Sequence, residues 1–207
     1  MIHIGHCEKL LFMRIFLTVL ILIFSLQHST KADDITEFEI EGMSIGDSLL
    51  DYYSKNQIND ALKNASYYKN KKFVEIFLNY EKGEFDNLQV AFQTKDKSYK
   101  IEKIMMTKKF SNQIAKCKKF KENFIENSSE FLNIAKRQDH DTTALADPTG
   151  KSFKYISSYF YPLGGFFNFV CSDYSKEMFV ENGWSDGFAV SIGSQKILEY
   201  LQSDEAY

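Results

Sequence analysis

Few residues in this chain can do nucleophilic, acid–base or metal chemistry. Three of its four histidines, His3, His6 and His28, fall within the first 28 residues, so imidazole chemistry beyond them must run through His140. His140 lies in Gln138-Asp139-His140-Asp141-Thr142, where flanking carboxylates oppose its use as a neutral general base. Adjacent donors on an extended chain cannot all face one ion, so the stretch reads as a solvated loop and calls for no metal. His140 is the one histidine on which a small hydrolase could draw, with Asp139, Asp141, Asp173 and Asp186 as its carboxylates. Gly150-Lys151-Ser152 matches the tail of a phosphate loop, but Leu145 stands where the first glycine belongs, and without it the backbone cannot wrap a phosphate. Nothing in the sequence calls for a cofactor.

Tyr174 and Trp184 bracket the segment Tyr-Ser-Lys-Glu-Met-Phe-Val-Glu-Asn-Gly-Trp, which holds the chain's only tryptophan. Exposed, they would make a sugar-stacking or partner-docking platform; packed under a sheet edge, they would be core. Lys116 and Lys119 belong to a basic run in which residues 95–121 hold ten lysines against Asp96 and Glu102. On one side of a helix, such lysines attract anionic lipid headgroups or polysaccharide through their field. The chain has 23 lysines and two arginines, so recognition of phosphate by planar arginine forks is scarcely available. With a formal net charge of −3 and no aromatic–basic motif, a dedicated nucleic-acid binder is not indicated.

Lys9 and Arg14 precede an unbroken apolar run at residues 15–26, and Thr30-Lys31-Ala32 supplies small residues for cleavage before Asp33. This is the pattern of a signal peptide over residues 1–32. Twelve apolar residues span about 18 Å of helix against roughly 30 Å of hydrocarbon, which disfavours a permanent anchor. Met13 is an alternative start, which would make residues 1–12 an extension. Cleavage would take Glu8, Lys9, Arg14 and Lys31 from 28 acidic and 25 basic residues, leaving 27 against 22, net −5. The expected product is one domain, residues 33–207, in the periplasm or secreted. It keeps Cys117 and Cys171. In an oxidising compartment the pair is expected to form a disulfide closing a loop of about 53 residues, stabilising by roughly 3–4 kcal/mol; two buried thiols are the alternative.

The elements that must position these residues follow from hydrophobic spacing. Phe38 and Ile40 predict a short strand, and Ser44 with Asp47 a capping box for a helix through about Ile58. Period-two runs between residues 72 and 106 predict a three-stranded meander, and residues 153–161 and 166–172 a hairpin turning at 162–165. Ile114, Cys117, Phe120, Phe124, Phe131 and Ala135 predict an amphipathic helix over 111–136. The polar stretch 137–151 predicts a mobile surface loop. Residues 186–192 resume alternation, and Ser194 caps a last helix, 196–201. The fold class is therefore α+β: two layers, an antiparallel sheet of about six strands, and a long amphipathic helix packed on one face. Cys171 shares a face with Phe167 and Phe169, so a bridge to Cys117 would pin that helix to the sheet.

The opening Asp33-Asp34-Ile35 through Glu41-Gly42-Met43-Ser44-Ile45-Gly46-Asp47-Ser48-Leu49-Leu50, with Tyr174-Ser175-Lys176-Glu177-Met178, Gly183-Trp184 and Val190-Ser191-Ile192, resembles a family of small exported bacterial proteins with no assigned function. The resemblance covers most of residues 33–207 and implies a common fold and compartment, but no active site. The Ile-x-Gly-x-x-x-Gly opening is also similar to small outer-membrane assembly factors, whose lipidated cysteine this chain lacks. The expected function is an exported, non-enzymatic interaction or binding module that meets an envelope component or another protein. The alternatives are the small hydrolase and a carrier of small apolar ligands.

Overall fold

In the computed structural model, which describes residues 34–78, 80, 83–144 and 147–206, the period-two runs become strands of one sheet. The expected leader and the alternative start at Met13 lie outside the described residues. A small hairpin, β1 (Glu39–Ile40) and β2 (Met43–Ser44), precedes helix α1 (Lys55–Leu62). The main sheet comprises β3 (Ser66–Tyr67), β4 (Phe73–Leu78), β5 (Asn87–Gln93), β6 (Lys103–Lys109), β7 (Lys136–Thr143), β8 (Phe153–Phe160), β9 (Phe166–Asp173) and β10 (Gly187–Gly193). Every pairing is antiparallel, in the order β3-β4-β5-β6-β10-β9-β8-β7. The last strand, β10, thus joins the predicted meander, β4-β5-β6, to the predicted hairpin, β8-β9. At the tip of that hairpin a Cβ on Gly165 (φ +88°) would lie 2.5 Å from the Ile35 side chain and 2.8 Å from the Gly193 carbonyl oxygen, so only glycine fits there.

Register separates two chemically different faces. Phe188 pairs with Cys171, Val190 with Phe169 and Ile192 with Phe167, and Ile104, Val90 and Ile76 continue this apolar surface into the meander. Helix α2 (Ile114–Asn127) covers it, with the Phe120 and Phe124 rings 5.1 and 5.6 Å from that of Phe188. Each phenylalanine buried here contributes about 1.5–3 kcal/mol. Cys117 of α2 and Cys171 of β9, both fully buried, form the disulfide, with Cα atoms 5.9 Å apart. On the opposite face, Ile197 and Tyr200 of α5 (Gln195–Leu201) pack with Phe73, Ala91 and Phe166, covering one end of the sheet.

The α+β class and the antiparallel sheet hold, but the sheet has eight strands, where about six were expected. The added β3 is two residues long, and the added β7 occupies the stretch predicted as a mobile loop. Seven of the eight β7 residues are exposed, and Lys136, Arg137, Asp139, His140 and Asp141 are ionisable. An edge strand of this composition discourages pairing with another chain, and the same composition hides its strand character from a hydrophobic pattern. The long helix expected over 111–136 is also shorter. It ends at Asn127, where the polar Ser128-Ser129 pair falls in the wide gap between Phe124 and Phe131, and a separate turn, α3 (Ser129–Leu132), follows. The first helix begins later than predicted. The Ser44 N–H does donate to Asp47 Oδ2 (2.9 Å), but this closes a turn. Helix α1 starts after Ser54, where Ser54 and Gln57 make the complete capping box.

Candidate ligand cleft on the open sheet face

The face away from α2 carries the alternate residues of each strand. Across β9, β10 and β6, Val170 pairs with Ala189 and Ala189 with Thr107; Ser191 and Met105 are paired one step along. Beyond the end covered by α5, this surface forms the floor of a cleft of about 400 Å³, with Gln89, Met105, Thr107, Val170, Ser172 and Ala189 in its lining. That volume lies in the lower part of the roughly 300–1,000 Å³ range of ligand pockets. Tyr174 and Trp184 also line the cleft, with ring centroids 5.3 Å apart and planes at 57°. Trp184 is 38% exposed, so it remains available for contact.

Two polar clusters set this aromatic pair. Tyr174 and Trp184 flank α4 (Lys176–Asn182), which Ser175 caps at its start and Gly183, at φ +68°, closes in the left-handed conformation. The Tyr174 N–H donates to Oδ1 of the buried Asp186 (2.9 Å), and the Phe110 N–H donates to the Asp186 carbonyl (2.8 Å). Before α4, Asp147 Oδ2 accepts from the hydroxyls of Ser152 and Ser175, and Oδ1 from the hydroxyl and N–H of Thr149. The Ser152 hydrogen bond leads these contacts in holding the Asp147 carboxyl well below the usual range, against a smaller opposing effect of burial. The 147–150 turn is thereby tied to the N-terminus of α4.

The lining holds three lysines, Lys108, Lys109 and Lys154, and no carboxylate. Lys108 Nζ donates to the Glu84 carbonyl (2.9 Å). Lys154 is partly buried; burial, followed by the charge of Lys103, lowers its pKa. No carboxylate among the described residues lies within ion-pair distance of it. Lys103 differs: burial opposes its charge, but Glu75, 3.0 Å away, more than restores it.

No protein family, curated protein or solved structure matches this chain. The sequence-derived residues therefore stand on their geometry alone. Tyr174 and Trp184 are brought together in ring contact at the wall of the cleft. His140 is exposed on the edge strand β7 and pairs with Ile156. Its neighbours Asp139 and Asp141 point to the other face by strand alternation, and Asp139 is engaged by Arg137 (2.9 Å) and Ser157. Burial works against the Asp139 charge, but those hydrogen bonds outweigh it and keep the carboxyl low. Asp173 and Asp186 are neighbours; burial, then the charge of Asp186, pushes the Asp173 carboxyl up. Among the described residues, no group of three or more His, Cys, Asp or Glu could hold a metal ion.

Lys116 and Lys119 are exposed on α2, across the sheet from the cleft. Their neighbours turn inward: Lys118 lies over the Tyr155 ring, and Lys121 donates to Ser157 Oγ at 3.0 Å. Sequence reasoning did not single out the floor residues or Lys154. Their signal was present as the polar positions alternating with the core residues of β5, β6, β8 and β9, but alternation alone does not reveal which face stays uncovered.

Proposed function

We propose that this chain is an exported, non-enzymatic binding module of the cell envelope, and that the Trp184 cleft is its ligand site. The observation that carries this reading is the uncovered sheet face: a floor of hydroxyl, amide and small apolar groups walled by a partly exposed tryptophan. Such a lining hydrogen-bonds and stacks with a ligand. Oxidising conditions suit the buried disulfide, and no helix among the described residues is long and apolar enough to cross a membrane. Export through the 1–32 leader, and kinship with the small exported bacterial proteins that the opening resembles, belong to the same proposal. The apolar-carrier reading is less favoured, because Phe120, Phe124, Phe169 and Phe188 fill the space between α2 and the sheet where an apolar ligand would lie.

Trp184 is the sole tryptophan, so intrinsic fluorescence reads the cleft directly. Titration with a panel of oligosaccharides, short peptides and lipid vesicles is expected to give saturable emission changes with one class, which Tyr174→Ala weakens; Trp184→Phe, which removes the fluorophore, is expected to weaken retention of that class by the immobilised protein. If no class changes the emission and none is retained by the immobilised protein, the binding reading is overturned. The hydrolase reading is favoured only by the Asp173–Asp186 neighbourhood, and Asp186 already serves the Tyr174 backbone. Loss of a hydrolytic activity in His140→Ala or Asp173→Asn, with folding intact, would establish the enzyme instead.

A further inference from the structure

We infer that the ligand of this cleft is an acidic saccharide, with a carboxylate-bearing sugar placed against Lys154; the inference rests on the reading of the cleft as the ligand site. Three observations converge on this class. First, the wall is aromatic: the C–H face of a pyranose ring stacks on an indole, and Trp184 is partly exposed beside Tyr174. Second, the floor is rich in short, neutral hydrogen-bonding groups. Gln89 and Ser172 each donate and accept, as sugar hydroxyls do, and Asn87 and Thr107, joined by Asn87 Nδ2 donating to Thr107 Oγ1 (3.2 Å), keep a carbonyl acceptor and a hydroxyl donor between them. A long apolar peptide side chain or an acyl chain would offer the remaining donors and acceptors no partner, which is costly in a partly buried site.

Third, the charge in the cleft opposes that of the molecule. The lining has no acid, and Lys109 and Lys154 bring their charge to this face while the Lys108 ammonium turns to the Phe120 ring of α2, whereas residues 33–207 carry 27 acidic and 22 basic residues. Lys154 is partly desolvated and has no carboxylate partner among the described residues. A desolvated ammonium gains most from an anion brought to it. An ammonium is a point charge without the fork of arginine, so it suits one carboxylate on a ring whose orientation is set by stacking. Lys109, exposed at the rim and hydrogen-bonded through its backbone N–H to Asp86 (2.6 Å), extends the positive side toward solvent.

The test is a fluorescence titration of the oxidised protein with a tetramer of galacturonic acid and with its neutral galactose counterpart, at low and at physiological salt. The acidic tetramer is expected to bind about tenfold more tightly than the neutral one, the scale of one charge-assisted hydrogen bond. Lys154→Gln is expected to remove most of that difference and its salt dependence, while Lys97→Gln, on an exposed loop elsewhere, retains it. Far-UV circular dichroism and the melting temperature establish that each variant is folded. Equal affinity for the two tetramers, in the wild type and in Lys154→Gln, overturns the acidic class and leaves the cleft a saccharide site. Binding of neither tetramer, with a peptide or an anionic vesicle changing Trp184 emission instead, overturns the saccharide class and leaves the cleft a ligand site. No response to any probe overturns both readings.

Discussion

Reducing the Cys117–Cys171 bridge is expected to destabilise the domain by several kcal/mol without erasing its secondary structure. The two cysteines are 54 residues apart in sequence and both are fully buried. In the chain-entropy treatment, a closed loop of this length removes about 14 cal/mol/K from the unfolded ensemble, or about 4 kcal/mol at 25 °C. For a domain of this size each kcal/mol shifts the melting temperature by roughly 2–4 °C, so the reduced protein should melt roughly 8–16 °C lower. The contacts of α2 with the sheet are largely aromatic and survive reduction, so the far-UV spectrum at 20 °C should change little. The assay is a pair of thermal melts, oxidised and reduced-alkylated, with intact mass confirming the loss of two hydrogens in the oxidised sample. Melting curves that coincide within 2 °C, or free thiols in protein exported with its own leader, would refute the reasoning that couples the bridge to stability and compartment.

The Asp147 network gives a pH dependence of definite sign. Its folded-state carboxyl is depressed, so its contribution is complete above the unfolded value of about 4 and is lost as pH falls through the folded value. Asp147→Asn should therefore melt below the wild type at pH 7, and the gap should narrow toward pH 2; parallel curves would contradict the role of the carboxylate. Phe188→Ala, removing a ring buried against Phe120 and Phe124, should cost about 3–5 kcal/mol in urea denaturation. Binding to anionic vesicles through α2 should be weak, because only Lys116 and Lys119 of its four lysines stay exposed. At about 1 kcal/mol per lysine at such a surface, raising the salt to 200 mM should abolish it in a flotation assay.

The fold was legible wherever burial imposes a period. The meander, the 162–165 hairpin, β10 and the Ser194-capped helix are all marked by alternation or a cap, and the parity of Cys117 and Cys171 already placed both on one side of the sheet. Where burial imposes nothing, the pattern is silent. β7 is a strand because its backbone pairs with β8 over eight residues, and its side chains obey solvent. The break after Asn127 was visible only as a missing apolar step, which a continuous helix would also have tolerated. Ser44 and Asp47 show the opposite error: the right local hydrogen bond formed within a turn, since three later residues, Ser48, Ser54 and Gln57, offered better caps.

The site was legible only in part, for a related reason. Tyr174 and Trp184 stood out by residue type, but type does not determine exposure. Exposure here depends on Asp147 and Asp186, two buried acids whose hydrogen bonds hold the flanks of α4. The sequence reading of Asp186 as a catalytic carboxylate and of 137–151 as a mobile loop missed that Asp147 and Asp186 act on the same helix. Lys154 was one lysine among 23, and it becomes distinctive only when the sheet is assembled. Strand register then sets it opposite Ser172 on the face that α2 does not cover, where burial weakens its hold on the proton and no carboxylate among the described residues lies within ion-pair distance. The two faces of one sheet thus divide the work. The disulfide and the phenylalanines hold α2 on one side, and the other carries the cleft proposed as the ligand site, with its aromatic wall, its polar floor and Lys154.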